Sequence, residues 1–575
     1  MDDAFLRAIR ADPEADLPRL VYADWLDEHD DPARAEFVRV QCELAKLPDH
    51  DDAYAALEDR EHELLAEHEA KWLGDGPTPD EWTFRRGFVD EVRLDLAATQ
   101  PAGWLTRQAV TSVTLTRRDY PAAGRATFSE WDGTESVDFV SPFFNSSGLE
   151  GWSEIDATPL EGAGGFYHLR DFLARWDTPS AKSLLLAGVS GLAGLAASLR
   201  DTPVAHLLRR LRVGGASSFR YGRGEALNAP ELAEVLRKAP LETLAAHDAN
   251  LARLTPLLEA RFAATLTSLD VSYNPLAADA YREFFAASPH LKLKHLDVSG
   301  TVLCGPTLRN LLASRCCETL TELAVNDGSP NPFDLGCLAD SPFWSQAEEL
   351  GFRRCDHVTS VTFEQLAKSA GPPALRSLDL GDNSLGPDGV GWLCAAQWAR
   401  PITWLNLAGC ALDSSAAWYL AQPDAFPHLR TLHLGTNNAY NSGVGRHEVN
   451  DDAIEFLVNS PTLARLRVLT LTANPVTNVG VDLLMNAPHF TLSGLGLSHT
   501  HITAAGVRTL AKSPRLARLN WLDLSDNAAL HSDALLPLAE SPYLSPLCDL
   551  DISRTGASDA VRDLLRQRLG RRAID

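Results

Sequence analysis

The 575 residues predict an α/β solenoid, and three observations carry that expectation. A short Leu-x-Leu or Leu-x-Val pattern recurs through the second half of the chain at a nearly constant interval. A small polar residue follows each anchoring leucine at a fixed distance. A stretch of helical period comes next and often stops at a proline, which cannot continue a helix.

The anchors are Leu269, Leu296, Leu323, Leu350, Leu378, Leu405, Leu432, Leu469, Leu495, Leu522 and Leu550, separated by 27, 27, 27, 28, 27, 27, 37, 26, 27 and 28 residues. Five positions beyond them stand Asn274, Thr301, Gly328, Cys355, Asn383, Cys410, Asn437, Asn474, Thr500, Asn527 and Thr555. A short polar side chain there can bond the backbone of the turn that leaves the strand, repeating as a ladder up the stack. This gives Cys355 and Cys410 a structural task. The helical stretches end at Ser288-Pro289, Ser460-Pro461, Ala487-Pro488, Ser513-Pro514 and Ser541-Pro542. Each unit therefore reads strand, turn, helix, loop. One such unit buries too few apolar side chains to offset the entropy of ordering about 27 residues, so the array must fold by stacking.

This pattern resembles the ribonuclease-inhibitor class of leucine-rich repeats over residues 183–575, about 14 units when the weaker anchors Leu184, Leu211 and Leu244 are included. Those three have Val189, Ala216 and Ala249 at the ladder position. The resemblance implies a horseshoe whose parallel sheet lines the concave face, with helices outside.

Residues 1–75 read as helices, with Phe5, Leu6 and Ile9, then Leu20, Val21 and Trp25, then Leu57, Leu64, Leu65 and Trp72 forming apolar stripes. The runs A-D-P-E-A-D-L-P-R-L-V-Y-A-D-W-L-D-E (11–28), D-P-A-R-A-E-F-V-R-V-Q (31–41) and K-W-L-G (71–74) resemble the repeat-companion domain of planctomycete proteins, which implies a bacterial source. That domain usually precedes repeat arrays and brings no known chemistry. Residues 76–182 are expected to hold a linker, capping strands at 89–96 and 110–116, and an irregular insertion from about Tyr120 to Phe166. Ten extra residues near Asn438 to Val449 form a second, smaller excursion.

Composition narrows the function. The net charge is −25, and residues 1–75 contribute −14 of it, from 22 Asp and Glu against 8 Lys and Arg. Such a surface repels phosphate backbones, so a nucleic-acid partner is not expected. The basic clusters that could argue otherwise are Arg210 with Arg212, and the terminal Arg562, Arg566, Arg568, Arg571 and Arg572. No apolar run is long enough for a membrane helix and no secretory leader is visible, so the expected location is the cytoplasm. Nine cysteines without a CxxC pair read as reduced thiols. No P-loop, nucleophile elbow or zinc-protease motif occurs, and His62 and His68 are six residues apart, too far round a helix to share a metal. No enzyme activity, cofactor or metal is expected.

Binding is the expected role. Strand positions beside each inward leucine point to the open face, and from the Leu269 unit onward they include Asp270, Asp297, Glu322, Glu349, Asp379, Asp523, Asp549 and Asp551. Arg353 is the one basic residue in that set. Trp404, His433 and Trp521 share the face, and tryptophan is enriched at the energetic centres of interfaces. The expectation is a monomeric scaffold or inhibitor holding a basic protein. The same aspartates also suit a purely solubilising role. A related repeat class includes activators of a small nuclear GTPase, so regulation of a GTPase is the alternative.

Overall fold

The computed structural model describes residues 3–48, 51–74, 81–95, 102–105, 108–116, 154–156, 182–187, 195–200, 202–214, 227–258, 260–287, 291–301, 305–328, 336–355, 358–436 and 449–574. The excursion expected between Tyr120 and Phe166 lies outside them apart from three residues in a strand. The second excursion also lies outside them, except for Val449. The chain divides into two units, Met1–Lys292 and Leu293–Asp575.

The first unit opens with four helices, α1 (Asp3–Ala11), α2 (Leu17–Glu28), α3 (Pro32–Leu44) and α4 (Asp52–Leu73). Pro18 and Pro32 sit in the first turns of α2 and α3, where a missing N–H costs nothing. Asp51 caps α4 by accepting from the Ala53 N–H. The helices close on a hairpin of β1 (Glu81–Arg85) and β2 (Phe88–Asp95). Gly87 turns that hairpin at φ +87, and a Cβ there would lie 2.5 Å from the Val38 side chain, so only glycine lets α3 approach this closely.

Leu6, Ile9, Tyr22, Leu26, Val38 and Phe88 form one core, while Phe37, Val40 and Leu64 form another with Trp72 and Phe84. Between them lies Arg34, 5% exposed, its guanidinium 4.8 Å from the Trp72 ring centre and 5.4 Å from those of Phe37 and Phe84. Burial lowers its pKa to about 10, so it remains a cation at pH 7, stabilised by ring faces.

From β2 onward the strands run parallel through β3 (Ser112–Thr116), β4 (Glu154–Asp156), β5 (Ser183–Ala187), β6 (Arg210–Gly214), β7 (Thr243–His247) and β8 (Ser268–Asp270). Val92, Val113, Ile155, Leu184, Leu211, Leu244 and Leu269 stand in one register. The ladder therefore begins well upstream of the leucine pattern, with valine and isoleucine in the buried column.

The second unit repeats the arrangement with shorter strands: β9 (His295–Asp297), β10 (Glu322–Ala324), β11 (Glu349–Gly351), β12 (Ser377–Asp379), β13 (Trp404–Asn406), β14 (Thr431–His433), β15 (Val468–Thr470), β16 (Gly494–Gly496), β17 (Trp521–Asp523), β18 (Asp549–Asp551) and β19 (Ala573–Ile574). All pair in parallel, and the ten predicted leucines from Leu296 to Leu550 share one register. Helices such as Gly386–Ala395, Ser414–Leu420 and Asp451–Val458 return each coil, and every leucine of the column is buried between them and the sheet. The fold is a leucine-rich-repeat solenoid of the α/β class.

The Ser-Pro dipeptides do more than end helices. Pro461 and Pro514 each open a short 3₁₀ turn, and the Ser513 hydroxyl caps its turn by accepting from the Arg515 N–H. Strand β19 has no leucine signature and closes the end of the ladder on β18. Among the described residues no helix is long and apolar enough to cross a membrane.

Candidate partner-binding face

Strand alternation builds the candidate face. In β9, β10, β12, β13, β14, β15 and β17 the central leucine is buried and both neighbours are half-exposed, as a two-residue period requires. The second unit thus brings Asp297, Glu322, Glu349, Asp379, Trp404, His433, Trp521, Asp523, Asp549 and Asp551 onto one side of its sheet. Asp270 takes the equivalent place on β8, the last strand of the first unit.

Most of the aspartates also have a local structural task. Asp297 accepts from the Ser299 N–H at 2.8 Å, Asp523 from Ser525 at 2.9 Å and Asp551 from Ser553 at 2.8 Å. Asp270 does the same for Ser272 at 2.9 Å, and Asp379 for Gly381 at 2.9 Å while also accepting from the Asn406 amide. Each carboxylate closes the strand exit two residues on, where the next N–H would otherwise lack a bond. One carboxylate oxygen is engaged, and the charge still lies on the face. Burial raises the Asp379 pKa, opposed by the Gly381 bond and by Arg353. Glu322, Glu349 and Asp549 stand on the other side of their leucines, and Asp549 lies 3.6 Å from Arg572. Glu322 lies 3.0 Å from the His295 ring, and that bond pulls its pKa down.

The aromatic residues do not project freely. Trp404 meets His433 edge to face at 5.2 Å, and His433 Nδ1 bonds Thr470 Oγ1 at 2.9 Å. Burial lowers the His433 pKa, keeping the ring neutral at pH 7. Trp521 lies across β16: a Cβ at Gly494 would come 3.3 Å from its ring and one at Gly496 3.1 Å. The two glycines make the space that the indole occupies. Sequence alone placed Trp521 on the face but gave no sign that Gly494 and Gly496 let it lie flat.

Behind the face runs the predicted ladder. Asn383 accepts from the Cys355 N–H and donates to the carbonyls of Phe352, Leu380 and Gly381, so one amide joins two coils. Asn274, Asn474 and Asn527 repeat this arrangement. Thr301, Thr500 and Thr555 each donate their hydroxyl to the carbonyl three residues back. The Cys355 and Cys410 thiols point at the Val325 and Leu380 carbonyls, and burial pushes Cys410 up to about 12, far from a reactive thiolate. Asn437 lies outside the described residues, as do Val189 and Ala216. Gly328, the one departure in the pattern, leaves room for the Cys355 sulfur 3.2 Å from where a Cβ would stand.

The basic clusters turn out to be largely occupied. Arg568 donates to the carbonyls of Ala539 and Leu544, Arg562 to those of Ala557 and Thr555, and Arg566 pairs with Asp563 at 2.9 Å. Arg210 and Arg212 stand exposed on β6, with Glu154 3.9 Å from Arg210. His62 bonds the Glu58 carbonyl and His68 packs against Trp72, and among the described residues no cluster of metal-binding side chains is found.

Register, leucine column and asparagine ladder together define the chain as a leucine-rich-repeat protein. The family model described as Leucine Rich repeat matches residues 373–394, which contain Leu378 and Asn383. The chain is similar to the human (Homo sapiens) protein NACHT, LRR and PYD domains-containing protein 14, 31% identical over 191 residues, which cover 31% of this chain and 17% of that protein. Among solved structures it resembles an internalin (inlF) of Listeria monocytogenes, 14% identical with TM-score 0.33 over 60% of this chain and 87% of the other. It also resembles the yeast Rad7 and Elc1 complex, 16% identical with TM-score 0.41 over 69% and 82%.

Proposed function

We propose that this protein is a non-catalytic, monomeric scaffold of the cytoplasm that holds a protein partner against the sheet face of its second unit, with basic side chains of the partner meeting the acidic strands. The observation that carries this reading is the composition of that face. Carboxylates stand on β9–β12 and again on β17 and β18, and Arg353, three residues beyond Leu350, is spent on Asp382 at 2.9 Å. Complementary charge of this kind speeds association and selects among partners. The face holds two tryptophans between the acidic strands, where a binding centre would need them. An RNA or DNA partner would meet repulsion.

The structure changes which charges should be reversed to test this. Asp270, Asp297 and Asp379 close strand exits, so replacing them would also disturb the fold. Glu322 and Glu349 stand on the other side of their leucines, away from the strand exits, whereas Asp549 lies 3.6 Å from Arg572 and a lysine there would meet that guanidinium. A variant with Glu322 and Glu349 changed to Lys, used beside the wild-type protein to capture partners from native cytosol at low salt, is expected to lose a basic protein that the wild type retains. Retention of the same protein by both would overturn the reading. If the captured protein is a GTPase, a rise in its hydrolysis rate on adding this chain would replace the passive scaffold by a regulator.

A further inference from the structure

Resting on that reading, we infer that the partner presents an extended segment with a bulky apolar side chain between two basic groups, the apolar residue seated on an uncharged strip bounded by Trp404 and Trp521. Across β13–β16 neither position beside the leucine carries formal charge, and His433 among them is neutral. The row three residues beyond the leucines, Ala408, Gly435, Thr472 and Ser498, is uncharged as well. Two guanidiniums, Arg430 and Arg467, stand two positions ahead of their leucines, and Arg467 donates to the Thr491 carbonyl of the following coil. The strip is also low. At β16 the Trp521 indole lies over the glycines on both sides of Leu495, and Trp404 packs against His433, so the open floor between the two rings is Thr431, Val468 and Thr470.

On either side the charge returns abruptly, with Glu349 and Asp379 before the strip and Asp523 and Asp551 after it. An uncharged shallow floor between rings desolvates cheaply under an apolar side chain, whereas the carboxylates would be left unpaired by anything but cations. Strand spacing sets the scale. From β12 to β17 there are five steps of about 4.8 Å, or roughly 24 Å. An extended chain covers that in about seven residues. The pattern expected in the partner is therefore an apolar residue with Lys or Arg three or four positions to each side.

A random 12-residue displayed peptide library, selected on the full chain at low salt, tests this. The expected result is enrichment of that pattern, with binding of the selected peptides weakened more than about tenfold by Trp404→Ala and by Thr431→Lys. Both substitutions sit on half-exposed positions, and unchanged circular dichroism and melting would show the variants folded. Peptides that respond to Glu322→Lys and Glu349→Lys but carry no central apolar residue would overturn this inference and leave the acidic-face reading standing. Peptides indifferent to every face substitution, or no enrichment at all, would overturn both.

Discussion

In the first unit the buried column of the ladder is Val92, Val113 and Ile155 before it turns to leucine, and in the second it is leucine from Leu296 to Leu550. The register is the same in both. What differs is how the strand exits are bonded. Among the described residues the first unit has one interlocking amide, Asn274, whereas the second has Asn383, Asn474 and Asn527 with Thr301, Cys355, Cys410, Thr500 and Thr555 between. A parallel stack needs only a buried aliphatic side chain per strand. Accurate repetition of the turns asks for a polar side chain of fixed reach as well, and that demand makes the second unit so regular in sequence.

The faces differ in the same sense. On β6 of the first unit Arg210 and Arg212 flank the leucine, while in the second unit the flanking positions carry no Lys or Arg throughout the described strands. The face of the second unit is thus the more uniform surface for a single partner.

The largest expected effect comes from breaking the interlock. Asn383→Ala removes one accepted and three donated bonds and leaves buried carbonyls of two coils unpaired, so denaturant unfolding should show a loss of roughly 3 kcal/mol or more. Thr301→Ala, which removes the hydroxyl bond to the Val298 carbonyl, should cost about 1 kcal/mol. Equal losses would mean that the two residue types are interchangeable and would erase the contrast drawn above.

Gly496→Val forces its new side chain against Trp521 and Thr470, and overpacking of this kind costs about 1–3 kcal/mol. The displaced indole should also move into solvent, read as a red shift of tryptophan emission relative to the wild type. A smaller effect separates closure from surface charge. Asp523→Ala should cost about 1 kcal/mol through loss of the Ser525 bonds, whereas Asp523→Asn, which removes the charge and keeps an accepting oxygen, should cost less.

The smallest effect is in pH dependence. The folded-state pKa of His433 lies below its ordinary 6.5 because burial disfavours the charged ring. Its neutral form therefore contributes stability that is full above about pH 6.5 and is lost as pH falls through the lowered value. His433→Gln should flatten that part of the curve between pH 7.5 and 5. An unchanged slope would show that the ring titrates normally.

Much of this was legible in the sequence because strand period and coil length leave a numerical trace. Leu296 to Leu550 and their asparagine partners are fixed by counting. Upstream of Leu184 the sequence marks strands at 89–96 and 110–116 as caps but not their place in the ladder, since Val113 and Ile155 meet the same steric need without the leucine wording and irregular spacing hides the repeat. Strand β19 was missed for a similar reason, being two residues after a terminal helix. On the face, residue positions followed from alternation. Their bonding did not, because an Asp before Val-Ser or Leu-Gly reads equally well as a solvated charge until the turn geometry places a backbone N–H against it.

A photo-crosslinking residue introduced at Thr431, mid-strip on β14, can be compared in native cytosol with one at Val479, 59% exposed on the helix Asn478–Asn486. One basic partner is expected to crosslink strongly from Thr431 and hardly at all from Val479. Crosslinking chiefly from Val479, or equally from both, would contradict it.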